Sequence, residues 1–161
     1  MTQQEILVKI ALNGWYAQVK RAAAVFGNLT DEQLMAEISP GRNRGIYLLG
    51  HLIVTNDSIF PIFGLHDSLY PELQQAFVQQ PDKSGFEMPE ISVLRARWEE
   101  VHAKLETAFT SFSTEDWLSR HNLMTDEDLA NDPARNKLSV LMNRTAHIAY
   151  HLGQAALLQT R

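Results

Sequence analysis

Asn143-Arg-Thr-Ala-His147-Ile-Ala-Tyr150-His151-Leu-Gly-Gln154-Ala-Ala-Leu-Leu158 contains two histidines spaced i, i+4, and from Thr145 through Thr160 there is no Asp, Glu, Lys or Arg. At 3.6 residues per turn this spacing sets both imidazoles on one helical face, one turn apart. A helix so poor in charge is expected in the interior, where an unpartnered ring nitrogen is costly. Two neutral imidazoles in this arrangement can share one divalent cation. A core histidine bonded to a backbone carbonyl would give the same spacing.

A third histidine extends the pattern. Gly50-His51-Leu-Ile-Val-Thr55-Asn56 lies in a second uncharged run, Gly45 to Asn56, which reads as an earlier core helix. His51, His147 and His151 would make a three-imidazole site that keeps an open coordination position. On a helical wheel the His147 face also gathers Asn143, Arg144, Tyr150 and Gln154, and the His51 face gathers Arg44, Tyr47, Thr55 and Ser58. Gln154, one turn past His151, is placed to support a ligand or to bond across helices. Tyr150 is either a catalytic candidate or a core tyrosine with a satisfied hydroxyl. Arg44 and Arg144 either recognise an anionic substrate at a pocket mouth or are solvated helix-end arginines. His102 is expected at the surface or half-buried, and His66 and His121 fall in connecting segments.

Position 148 is Ile, so this is not the His-Glu-x-x-His of zinc peptidases, and no Glu-x-x-His pair suggests a di-iron bundle. With no carboxylate on either histidine face, a bound dication keeps its charge and calls for an anion: hydroxide, a thiolate or a substrate carboxylate.

Two segments resemble a known family, the DinB/YfiT-like metal-binding four-helix bundles. One is Pro40-Gly41-Arg-Asn43-Arg44-Gly45-Ile-Tyr47-Leu-Leu-Gly50-His51-Leu52, and the other is His147-Ile-Ala-Tyr150-His151-Leu-Gly153-Gln154. The resemblance implies His51, His147 and His151 as ligands of one divalent ion, in an often dimeric bundle. It also implies a range of activities, from thiol-dependent transferases and isomerases to proteins with no assigned reaction. The expected function is therefore a metal-dependent enzyme acting on a small molecule, with a low-molecular-weight thiol as co-substrate. Three alternatives stay open: hydrolysis by metal-activated water, a metal-binding stress-response protein without catalysis, and a plain dimeric helical scaffold. Three imidazoles accept zinc or nickel foremost, and iron or copper as well.

Composition sets the wider bounds. The chain has 161 residues, enough for one domain with a sizeable core, and it is expected to be a single unit over residues 1–161. A formal net charge of −5 argues against a nucleic-acid partner, which needs a basic face. The absence of cysteine excludes disulfides, thiolate ligands and a cysteine nucleophile, and fits a cytoplasmic protein. Neither a signal peptide nor a run of about 18 consecutive apolar residues is present, so no membrane association is expected.

Helical periodicity recurs along the chain, and no strand-like alternation does. The first helix is expected from Thr2, with a capping box at Glu5, to about Gly27. A short helix covers Asp31 to Ile38, and a second long helix runs from about Asn43 to Phe63 with a bend at Pro61. A third spans 91–112, and a further short one runs from Glu115 to Arg120. Asp132-Pro133 reads as the start of a fourth long helix reaching the C-terminus. Residues 64–90 hold three prolines and two glycines and are too long for a tight turn. The sum is an all-α four-helix bundle, with a long crossover between helices two and three and short extra helices.

Overall fold

The computed structural model describes residues 1–159, and within them four long helices pack around one hydrophobic core. Helix α1, Gln3–Asn28, opens on the reciprocal Thr2/Glu5 capping box and buries Val8, Trp15, Ala22 and Phe26 along one stripe. Helix α3, Gly45–Asp57, is buried nearly all round. Helix α5, Ile91–Thr110, turns Leu94, Trp98, Val101, Leu105 and Phe109 inward. Helix α8, Lys137–Ala155, turns in Leu141, Ile148 and Ala155. α1 packs on α8 and α5, and α3 packs on the same two, so the four helices close a ring. Short helices fill the joints: α2, Asp31–Met35; α4, Ile59–Phe63; α6, Thr114–Leu118; α7, Asp126–Asn131.

Several boundaries differ from the sequence expectation. The second long helix stops at Asp57 and restarts at Ile59 rather than bending at Pro61. In a continuous helix the Pro61 ring would press on the carbonyl four residues back and leave it without a donor. A new helix starting at Ile59 places the proline in a first turn, where no N–H is needed. The fourth long helix begins at Lys137, with Asn136 and Ser139 forming its capping box. The Thr125/Asp128 box starts a separate helix, α7, so Asp132-Pro133 is a turn between two helices and not a helix start. The Asp31 helix ends at Met35, three residues early. The expected end of the last helix at the C-terminus falls on residues 160–161, outside the described residues. Within them α8 is followed by a single tight turn, Ala156–Leu158.

The α3–α4 stretch, Gly45–Phe63, is long and apolar enough to cross a membrane, yet 72% of it is buried inside the bundle. Burial against α2, α5, α8 and the segment that follows α4 accounts for its composition. α8 departs from expectation in the other direction. Met142 and Tyr150 on α8 and Leu157 in the turn after it are 58%, 64% and 54% exposed, so this side of the chain's last helical segment turns outward.

Residues 64–90 form a strap laid back across α3. Its start is fixed by Asp57, whose buried carboxylate accepts from the amides of Leu69 and Tyr70. Its middle is a 3₁₀ turn, Pro71–Leu73, and a π-type turn, Gln75–Gln79, packed on α3. Its far end is held by Asp82, which takes the Arg44 amide at 2.8 Å and the Arg44 guanidinium at 2.6 Å.

Candidate metal centre

The strap presses against α3 at Gly50. A Cβ there would lie 2.2 Å from the Phe77 ring, so only glycine admits the strap at this depth. That approach brings the Phe77 carbonyl to 2.7 Å from His51 Nδ1. A carbonyl can only accept, so Nδ1 carries the proton and the Nε2 lone pair is free. Tyr47, one turn earlier, stacks on the His51 ring at 6.1 Å and 11°, and its hydroxyl donates to the Gln80 carbonyl. The His51 ring is thus held on two sides.

The same tautomer is imposed on His151. Its Nδ1 donates to Gln154 Oε1 at 2.7 Å, one turn on along α8, and Gln154 Nε2 donates in turn to the Tyr150 hydroxyl at 3.3 Å. Its Nε2 also points inward. His147 Nε2 stands 3.1 Å from that of His51 and 3.0 Å from that of His151. Donors about 2.0–2.1 Å from one zinc ion would be about 3.3 Å apart in a tetrahedron, and about 2.9 Å apart at right angles. The measured separations lie between these values. Among the described residues no Asp or Glu joins the three histidines in this cluster of potential ligands.

Electrostatics keep the donors unprotonated. Burial pushes the His51 imidazole below its ordinary pKa against the opposing effect of the Phe77 carbonyl, and the positive charge of Arg144 adds to the fall. His147 is driven down to about 4 by burial first, then by His151, His51 and Arg144. Burial also lowers His151. His147 Nδ1 is buried without a partner. With the other two Nε2 atoms presenting lone pairs, a neutral His147 can satisfy one of them at most, through an Nε2–H, and neither if its proton sits on Nδ1. A cation at the common focus satisfies all three lone pairs at once, so the donor set suits a divalent metal.

The other candidates divide. Gln154 and Tyr47 touch the ligand rings, as described. The Thr55 hydroxyl donates to the His51 carbonyl on its own helix at 2.9 Å, which leaves it no proton to offer a substrate. Tyr150 is largely exposed and sets its ring edge-on to His151, with centroids 5.0 Å apart. Asn143 is exposed and makes no bond to the histidines. Arg44 is committed to Asp82, whose side chain is 1% exposed. Burial would raise the Asp82 pKa, but the Arg44 guanidinium and amide together hold it below the usual carboxylate range. Arg44 therefore clamps the strap to the start of α3. Arg144 is half-buried, with its Nη2 donating to Ser58 Oγ at 3.2 Å. His102 is not at the surface: it is buried, with its ring tilted 38° against Trp98 at a centroid distance of 3.9 Å, and bonded to the Trp98 carbonyl and to Asn56. A depression of about 440 Å³ lined by Met35, Arg44, Phe86 and Met88 contains none of the three histidines.

Sequence patterns did not single out Phe77 or Asp82, because they act through contacts 26 and 38 residues distant. The glycine directly before His51 was the available signal, since a helix-interior glycine among apolar residues marks a close approach.

No curated protein matches the chain. The family model of the DinB superfamily matches residues 15–155, a span that takes in the second half of α1, the other three long helices and the three histidines, and the chain belongs to that superfamily.

Proposed function

We propose that the protein binds one divalent metal ion through Nε2 of His51, His147 and His151, and that it acts on a small molecule with a low-molecular-weight thiol as co-substrate. The observation that supports this most is the convergence of three Nε2 atoms, two of them fixed as lone-pair donors by the Phe77 carbonyl and Gln154, with no carboxylate in the cluster. Zinc or nickel fits the all-imidazole set best. When bound, such an ion lowers the pKa of a thiol or water and polarises an oxygen of the substrate.

The protein's own residues supply the rest. The Phe77 carbonyl and Gln154 orient the two outer rings and strengthen them as donors. Burial keeps all three imidazoles neutral at physiological pH, so protons compete poorly for the site. Because the donors bring no negative charge, an anionic ligand is favoured, and a thiol is expected to bind as thiolate. A cytoplasmic setting, where such thiols are abundant, and assembly as a homodimer belong to the same proposal.

Elemental analysis of untagged protein is expected to give one metal per chain. Calorimetry of small thiols against the loaded protein, in buffers of different ionisation enthalpy, is expected to show release of about one proton per thiol bound. Metal without thiol binding would shift the function to hydrolysis by activated water or to a non-catalytic role. Absence of metal before and after loading would overturn the proposal altogether.

A further inference from the structure

Four arginines of the fold face a carboxylate: Arg44 with Asp82, Arg95 with Asp31, Arg97 with Glu72 and Arg120 with Asp126. Arg144 is half-buried and faces none among the described residues. Its Nε is fully buried with no hydrogen-bonding partner, and the one bond it makes is from Nη2 to Ser58 Oγ. The Ser58 hydroxyl gives its proton to the Thr55 carbonyl at 2.7 Å, so it can meet the guanidinium only as an acceptor. A desolvated guanidinium with one neutral contact is costly to hold.

Its position gives that cost a purpose. α3 and α8 run antiparallel: Gly45 lies against Leu158, His51 against His147 and His151, and Ser58 against Arg144. Arg144 precedes His147 by three residues, and Ser58 follows His51 by seven, two turns or about 10 Å along the helix. Both therefore stand on the α3–α8 seam that carries the histidines.

We infer that Arg144, held in place by Ser58, binds the carboxylate of a small acid whose other end reaches the three-histidine centre. The guanidinium offers parallel N–H donors that match the two oxygens of a carboxylate. The substrate or co-substrate is thus a bifunctional molecule, with a metal-binding group and a carboxylate several atoms apart. The second half of this assignment rests on the metal site proposed above; the first does not.

The test uses ¹⁵N-labelled full-length protein, metal-free and zinc-loaded, observed at the arginine Nε–H resonances. The Arg144 resonance is identified by its loss in Arg144→Lys. Propionate is expected to shift it in both forms, and propionamide to leave it in place. In zinc-loaded protein, ω-mercaptoalkanoates with one to five methylenes are expected to bind about tenfold to a hundredfold more tightly than their amides, most strongly at one chain length. Arg144→Gln should erase that preference with zinc stoichiometry unchanged. Arg144→Lys, which keeps the charge without the fork, should retain a small part of it. A resonance indifferent to propionate, or an acid-over-amide preference that survives Arg144→Gln, overturns the inference. A shifted resonance in protein that takes up no zinc upholds the anion site and sinks the metal reading alone.

Discussion

His147 is the residue on which the candidate centre turns, because its Nε2 lies within hydrogen-bond distance of both other histidines while its Nδ1 is buried and unpartnered. His147→Ala removes a ring that contributes little to the apolar core. It is expected to abolish metal uptake while changing the stability of the metal-free protein by no more than about 1 kcal/mol, as elemental analysis and urea denaturation would show. A variant that still binds one metal tightly would remove His147 from the ligand set. His102 behaves differently. Burial drives its pKa to about 4, and it stays neutral between the Trp98 carbonyl and Asn56. In the unfolded chain its pKa is about 6.5, so below that value the unfolded state binds the extra proton. Its contribution is complete above about pH 6.5 and declines as pH falls towards 4, by about 3 kcal/mol over the whole window. Denaturation at pH 7 and pH 4.5 is expected to show this loss, with a shallower pH dependence in His102→Gln. An equal slope in the variant would assign the acid lability to other groups.

At the scale of elements, the strap decides how α3 presents its ligand. Gly50→Ala places a methyl group inside the Phe77 ring, and relief requires the ring and its own backbone to withdraw. The expected cost is about 1–3 kcal/mol of stability from overpacking. Loss of the Phe77 carbonyl as acceptor for His51 is expected to weaken metal binding by about 10–100-fold. Urea denaturation and competition against a chelator measure the two effects separately. Wild-type metal affinity in a destabilised Gly50→Ala protein would show that the strap is not needed to orient His51. The Arg44–Asp82 pair and the two Asp57-to-amide bonds fasten the strap's ends, so its conformation does not depend on Phe77 alone.

At the scale of the whole molecule, the outward face of α8 is the feature a monomer leaves unexplained. Met142, Ala146, Ala149, Gly153 and Leu157 are exposed at helical spacing, and on neighbouring α1 Leu7 and Ile10 are 61% and 62% exposed. Gly153 and Gly14 have open space where a side chain would stand, which permits close approach of another helix. A two-fold partner presenting the same surface would cover the patch. Sedimentation equilibrium is expected to give twice the 18.3 kDa chain mass at micromolar concentration, and Ala146→Glu is expected to return the single-chain mass with the helical signal intact. A wild-type protein that sediments as one chain would leave the face without this role.

The sequence alone determined that the chain is an all-α bundle, and it singled out three histidines as candidate metal ligands. A 3.6-residue period needs only local neighbours to be read, as in the Val8–Phe26 and Leu94–Phe109 stripes, and capping boxes such as Thr2/Glu5 declare themselves within four residues. The i, i+4 pair of His147 and His151 was legible for the same reason. Three other matters were settled only in three dimensions. Helix starts at Lys137 and stops at Asp57 emerged from competition between overlapping caps and a proline whose effect reaches four residues back. The roles of two arginines alike in the sequence parted according to what stood opposite: a buried carboxylate for Arg44, a lone serine hydroxyl for Arg144. The convergence of His51 on the α8 pair depended on a crossing of α3 and α8 and on a strap folding back over Gly50. Periodicity fixes which face a residue occupies, but which faces meet is set by packing between residues nearly a hundred positions apart, and no local pattern records that.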